Sequence, residues 1–281
     1  MRFQVHHFSR YEYTVPVSLC EHTLRLLPQL PEDAIEYQRL SIEPTPSLER
    51  VLVDPNGNRV LRAEFLGSAT LFSIESEFAA TVSAPAPATD PGWPTLPWFG
   101  FVESVPRTGA IWSAPGGALA PNVNAFAQRT AQDAGYRALY FVELLTRTLF
   151  YQIHRHIRVE GEAQTSAQTL STLRGACRDI TVLFLDCCLA LGIGGRFVSG
   201  YQSAADTPYA QRQLHAWPEL YLPGLGWRGW DATHGVAVSD GHLALAAAGT
   251  QAETMPVEGG YYFSGPSVSS TLSYGLSIQT S

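Results

Sequence analysis

The feature that most limits what this chain can fold into is a change of hydrophobic period partway along it. Over roughly the first 80 residues apolar and polar positions alternate, the pattern of half-buried strands. Phe3, Val5 and His7 follow it, as do Tyr11, Tyr13 and Val15. Thr23–Leu27, Arg39–Ile42, Val51–Val53, Arg59–Phe65 and Thr70–Phe78 read as further strands. Asp54-Pro55-Asn56-Gly57-Asn58 separates two of them as a hairpin turn, with Gly57 supplying positive φ. Pro85, Pro87, Pro91, Pro94 and Pro97 then break any regular element, which makes Ser83–Pro97 the expected linker, with few core contacts.

Beyond that break the period lengthens. Helical patterns begin near Asn124, and Tyr136–Ile153 carries Leu139, Tyr140, Val142, Leu145, Leu149 and Phe150 at three- and four-residue steps. A shorter helix is predicted over Ala167–Leu173. Another starts at Cys177, with Ile180, Leu183, Phe184, Cys187 and Leu191 on one stripe and Gly192 as its stop. Strands follow at Arg196–Tyr201, Leu214–Leu222 and Gly226–Asp231, and Leu272, Tyr274, Leu276 and Ile278 alternate near the end. The predicted class is α+β: an antiparallel β-sandwich over residues 1–92, a linker over 93–112, and a helix-plus-sheet catalytic domain over 113–281.

Composition narrows the partners. A net charge of −7, with no basic cluster, argues against nucleic acid, because phosphate binding needs a basic surface. All 18 basic residues are arginine, so the chain has no side-chain amine of its own to offer an acyl group. The start lacks the apolar run of a signal peptide, and no stretch approaches the roughly 18 apolar residues of a membrane span. Cys20 is isolated and Cys187 and Cys188 are adjacent, so there is no spaced disulfide framework. The expectation is a cytoplasmic protein with no membrane or nucleic-acid partner; the oligomeric state is not legible.

Three residues carry chemistry. Cys177 heads a helix, where unpaired N–H groups and the helix dipole favour thiolate over thiol. The same N–H groups can face an oxyanion. A buried structural thiol is the usual fate of a free cysteine, and Cys20, Cys187 and Cys188 fit it. Cys177, between Gly175 and the charged Arg178 and Asp179, does not. Asp179 in the first turn reads as a dipole partner. His215 and Asp231 lie on two strands joined by Pro223-Gly224-Leu225-Gly226, and folding about that turn places them opposite or diagonal to one another. A carboxylate there fixes the imidazole tautomer and leaves the other ring nitrogen for the thiol. Trp217, Trp227 and Trp230 surround the same hairpin, mostly as packing, with one able to wall an acyl site. Pro218 suggests an edge or a bulge. His154 and His156 have no cysteine or carboxylate at a metal-ligand spacing, and Gly192-Ile193-Gly194-Gly195 follows a helix instead of opening one, so neither metal nor phosphate is expected. No cofactor is implied.

These residues resemble the bacterial transglutaminase-like family. Gly175-Ala176-Cys177-Arg178-Asp179, Arg196-Phe197-Val198-Ser199-Gly200-Tyr201, His215-Ala216-Trp217-Pro218-Glu219-Leu220-Tyr221-Leu222-Pro223-Gly224 and Asp231-Ala232-Thr233 resemble its core. His7, Tyr11, Tyr13, Pro16, Val17, Leu24-Arg25-Leu26 and Pro28 resemble the β domain that precedes it. The resemblance implies a papain-like fold with Cys177 as nucleophile, His215 as base and Asp231 as orienter. The implied reaction is hydrolysis of a peptide or protein amide through an acyl-enzyme, or alternatively transfer of the acyl group to an amine. A binding module on a decayed fold of the same kind is the rival reading. Three positions depart from the family's habit: Gly194 and Ala232 stand where proline is usual, and Arg178 where glutamine is common.

Overall fold

The computed structural model describes residues 1–98, 111–114, 117–158, 161–204, 212–265 and 267–281. The alternating N-terminal segment forms one long strand, β1 (Arg2–Leu19), with Phe3, Val5, His7 and Ser9 inward and Gln4, Phe8 and Arg10 outward. It is followed by β2 (His22–Leu24), β3 (Ile35–Glu43), β4 (Leu48–Val53), β5 (Arg59–Glu64) and β6 (Ala69–Thr81). The hairpin between β4 and β5 closes as expected. Gly57 stands at φ +87°, and the Asp54 carboxylate accepts from the N–H groups of Asn56 and Asn58.

Helices come next: α1 (Pro121–Asp133) and α2 (Ala138–Gln152), then β7 (His154–Arg155), α3 (Ser166–Thr172), β8 (Arg174–Gly175) and α4 (Cys177–Leu189). Helix α4 ends in a Schellman turn, the Ile193 N–H bonding to Cys188 O and Gly192 adopting φ +75°. The chain then forms β9 (Gly195–Gln202), β10 (His215–Leu222), β11 (Gly226–Asp231), β12 (Val236–Ala237) and β13 (His242–Ala248). It finishes with β14 (Val257–Glu258), β15 (Tyr261–Tyr262) and β16 (Ser270–Thr280). None of the described helices is long and apolar enough to cross a membrane.

Two antiparallel sheets build the N-terminal part: β15-β1-β6-β3, with β16 also on β1, and β14-β2-β5-β4. A third, ordered β12-β11-β10-β9-β13, packs against the helices. The α+β class therefore holds, and two of the expected boundaries change. Strands β14, β15 and β16 pair with β2 and β1, so the last part of 113–281 completes the N-terminal sheets instead of the helix-plus-sheet unit. Pairing β16 with β1 covers an edge that would otherwise expose a long row of unpaired donors and acceptors.

The proline-rich segment is not a bare tether either. Leu96, Trp98 and Trp112 are buried in the helical core. The N–H groups of Leu96, Trp98 and Trp112 bond to the carbonyls of Tyr136, Leu191 and Gly195. Prolines exclude regular structure without excluding burial, and aromatic side chains between them supply apolar area that the core absorbs. Residues 99–110 of the expected linker lie outside the described residues.

Two cores result. One joins α1, α2 and α4 to β10 through Val123, Phe141, Leu145, Leu183, Phe184 and Leu220. The other fills the sandwich and takes in Tyr201 on β9 and Leu243 and Leu245 on β13. The third sheet is thus clamped between helices and sandwich. His7 on β1 crosses to it with a buried 2.8 Å hydrogen bond to the Tyr201 hydroxyl.

Candidate active site

Cys177 is the first residue of α4, so its own N–H has no intrahelical partner. The helix start is locked by Asp179. Its Oδ2 accepts from the Ala176 N–H at 2.7 Å, while Oδ1 accepts from the Gln164 N–H at 2.8 Å and Arg158 Nη2 at 2.6 Å. Asp179 is fully buried and serves the architecture, as a first-turn carboxylate should. The short parallel pair of β7 and β8 holds the approach to the helix, with Arg155 in register with Gly175.

His215 opens β10, where it pairs with Gly200 of β9. The β10–β11 register, Glu219 against Gly229, extends to put Trp217 opposite Asp231 and His215 diagonal to it. His215 Nε2 meets Asp231 Oδ2 at 2.8 Å. Its remaining ring nitrogen, Nδ1, is left for the thiol, and the two side chains lie close enough for each to shift the other's titration. The structure thus brings Cys177, His215 and Asp231 together in the order thiol, imidazole, carboxylate. Strand β10 is central in its sheet, so the edge expected from Pro218 is not found. The ladder to β11 runs only from Glu219 to Leu222, and the residue without an N–H sits where that ladder ends.

The electrostatics favour an ion pair. Burial pushes the Cys177 thiol up, but the hydrogen bond and charge of His215, the Ala216 N–H and the charge of Arg178 outweigh it, and the thiol falls below its ordinary value. Burial alone lowers His215; the charge and hydrogen bond of Asp231 and the contact with Cys177 reverse this and raise it to about 10. Asp231, fully buried, is pushed up by burial and held well below the usual carboxylate range by His215, His234 and His242. A lowered thiol beside a raised imidazole favours the thiolate–imidazolium pair over the neutral one. Cys187 and Cys188 show the opposite environment: both are fully buried mid-helix, and burial pushes their thiols up.

Three further side chains cluster with Asp231, those of His234, His242 and Arg155. His234 Nδ1 contacts Oδ2 at 2.7 Å, and its N–H and that of Thr233 donate to Oδ1 at 3.3 and 3.0 Å. His242 Nε2 donates to Oδ2 at 3.1 Å. Arg155 Nη1 lies 3.1 Å from His234 Nε2. His234 had a signal, three residues after Asp231 in a turn. His242 had none, because it lies on β13, a strand with no turn chemistry linking it to the hairpin. His154 is exposed and outside the site. Of the three tryptophans, Trp217 packs on it, its ring 6.0 Å from that of His215. Trp230 belongs to the helical core, and Trp227 lies at the far end of the hairpin under the Arg196 guanidinium.

His215, Asp231 and His242 bring their ligand atoms within 4.8 Å of one another, close enough for a metal ion. Two of those atoms donate hydrogen bonds to the third, so the spacing is that of a hydrogen-bonded cluster. A cation there would break the bond that orients His215.

A family profile described as bacterial transglutaminase-like N-terminal region matches residues 3–81, and one described as transglutaminase-like superfamily matches residues 124–232. Among curated proteins, the uncharacterized protein ML0607 of Mycobacterium leprae is 27% identical over 105 residues, covering 36% of this chain and 37% of that one. The chain therefore matches little more than a third of that relative's length. Among solved structures, a candidate cysteine protease from Cytophaga hutchinsonii superposes with a TM-score of 0.64 at 17% identity, over 100% of this chain and 91% of that one. That likeness establishes the fold. The periplasmic domain of TgpA from Pseudomonas aeruginosa gives a TM-score of 0.37 at 17% identity, over 81% and 90%, too loose a match to bear on the site.

Proposed function

The chain belongs to the bacterial transglutaminase-like family, and we propose that it is a cysteine-dependent hydrolase of peptide or protein amides, with Cys177 as nucleophile, His215 as general base and acid, and Asp231 as orienter. The observation that carries this reading is His215 held between Asp231 and the Cys177 thiol. The Cys177 thiolate attacks the amide carbonyl, forming a C–S bond and an oxyanion that the Cys177 N–H is placed to meet. The oxyanion collapses, the C–N bond breaks, and the leaving nitrogen takes the proton from His215. Water then gives a proton to His215 and attacks the thioester, the C–S bond breaks, and Cys177 departs as thiolate beside a renewed imidazolium.

Amine in place of water would make the enzyme a transamidase. Excluding water in favour of an amine requires an apolar channel at the thioester. Trp227 is directed elsewhere, and Cys177 is only partly buried, which supports water as the acceptor. The free thiols Cys20, Cys177, Cys187 and Cys188 support a reducing compartment, and we place the enzyme in the cytoplasm. Incubation with a glutamine-containing acyl donor and a labelled primary amine tests the assignment. Acid release in excess of amine incorporation, both abolished in Cys177→Ala, is expected. Amine incorporation that outpaces acid release identifies a transferase, and acid release that survives Cys177→Ala overturns the triad.

A further inference from the structure

The reaction as proposed does not use His242, which is buried against Asp231. It opens β13, its side chain is 4% exposed, and Nε2 lies 3.1 Å from Asp231 Oδ2. A carboxylate held ionised can only accept, so Nε2 must carry the hydrogen. The other nitrogen, Nδ1, is buried without a hydrogen-bond partner among the described residues, so the Asp231 carboxylate is the one polar contact that orients the ring there. Asp231 from β11 accepts from this ring, and His215 from β10 stands with its ring 6.4 Å away. His234 shares the same carboxylate, and the Trp217 ring packs edge-on at 5.4 Å, offering no charge.

Building on the reading above, we propose that His242 is a positioning residue: its Nε2–H, brought in on β13, fixes the Asp231 carboxylate on which His215 turns.

The test compares His242→Phe with His242→Gln. Phenylalanine keeps the ring volume against Trp217 and removes the donor. The glutamine Nε2 amide restores a donor that cannot take a proton. Cys177 alkylation by iodoacetamide, measured against pH, reads the thiolate–imidazolium pair with no substrate present. In His242→Phe the plateau rate is expected to fall about ten-fold, the loss of one hydrogen bond to a charged group, with kcat falling alongside and KM little changed. His242→Gln is expected to recover most of both. The reverse order, with phenylalanine near wild type and glutamine impaired, would show that the ring only packs and overturns the proposal. If His242→Phe does not fold, a ten-fold loss in His242→Gln overturns it equally. Should amine replace water as acceptor, the hydrolase reading fails while this alkylation order stands. A wild-type Cys177 no more reactive than Cys20 sinks both.

Discussion

Gly200 lies where the third sheet has no room for a side chain. It faces His215 on β10 and Ala244 on β13. A Cβ added there would overlap the Leu243 carbonyl oxygen, and would lie 2.6 Å from Trp217 Cη2 and 3.0 Å from Ala244 Cα. Carbon contacts settle at about 3.5–4.0 Å, so β9 and β13 must separate by on the order of 1 Å. The obstacle is largely backbone, which no rotamer change relieves. Gly200→Ala is therefore expected to destabilise the protein by about 1–3 kcal/mol as an overpacked site. The entropy that alanine removes from the unfolded chain offsets only about 0.4–1 kcal/mol where alanine fits, and here it does not fit. Because Trp217 packs on His215, the same displacement moves the base, and a misplacement of about 1 Å costs about a hundred-fold in rate. Urea unfolding and Cys177 alkylation measure the two effects. Gly67→Ala is the control: it sits at φ +78° with nothing within 4 Å, so it should lose about 1–2 kcal/mol to left-handed strain and keep its reactivity. A Gly200→Ala protein with wild-type midpoint and wild-type alkylation would refute the claim that strand spacing at Gly200 sets the position of His215.

Two further outcomes are expected. Burial lowers His7 from 6.5 to about 4, so the native state declines a proton that the unfolded chain accepts; stability is full above pH 6.5, is lost as pH falls to about 4, and the loss is on the order of 3 kcal/mol. His7→Gln should flatten that slope in urea titrations at stepped pH, and an unchanged slope would place it elsewhere. Trp112→Phe removes the 2.8 Å bond from Nε1 to the buried Asp186 carboxylate and should cost about 1–3 kcal/mol, whereas an unchanged unfolding midpoint would mean that the segment around Trp112 is no part of the core.

What the sequence makes legible follows from how local the signals are. The β4–β5 hairpin, the start of α4 and the diagonal relation of His215 to Asp231 all depend on turns and caps a few residues away, and each is where local chemistry puts it. The return of β16 to β1 joins the two ends of the chain, and nothing in the alternation of Leu272, Tyr274, Leu276 and Ile278 says which edge they seek. His242 is hidden for the same reason: β13 reaches the site by pairing with β9, and its small residues Ala244, Ala246, Ala247 and Ala248 give weak strand propensity. The proline-rich stretch misleads because φ restriction and burial are independent properties, and Trp98 and Trp112 are governed by the second.

The central claim is that Cys177 exists as a thiolate paired with His215. The direct measurement is the rate of iodoacetamide labelling at each cysteine as a function of pH, resolved by peptide mass spectrometry. The account predicts that Cys177 is labelled first and that its rate reaches a plateau with a midpoint below the ordinary 9.0 of a thiol. Above about pH 10, where His215 gives up its proton, the imidazolium is lost and the pairing with it. His215→Ala should return the midpoint to that of a free thiol or above it, because burial then acts unopposed. A wild-type midpoint at or above 9.0, or one that His215→Ala leaves unmoved, would contradict the account.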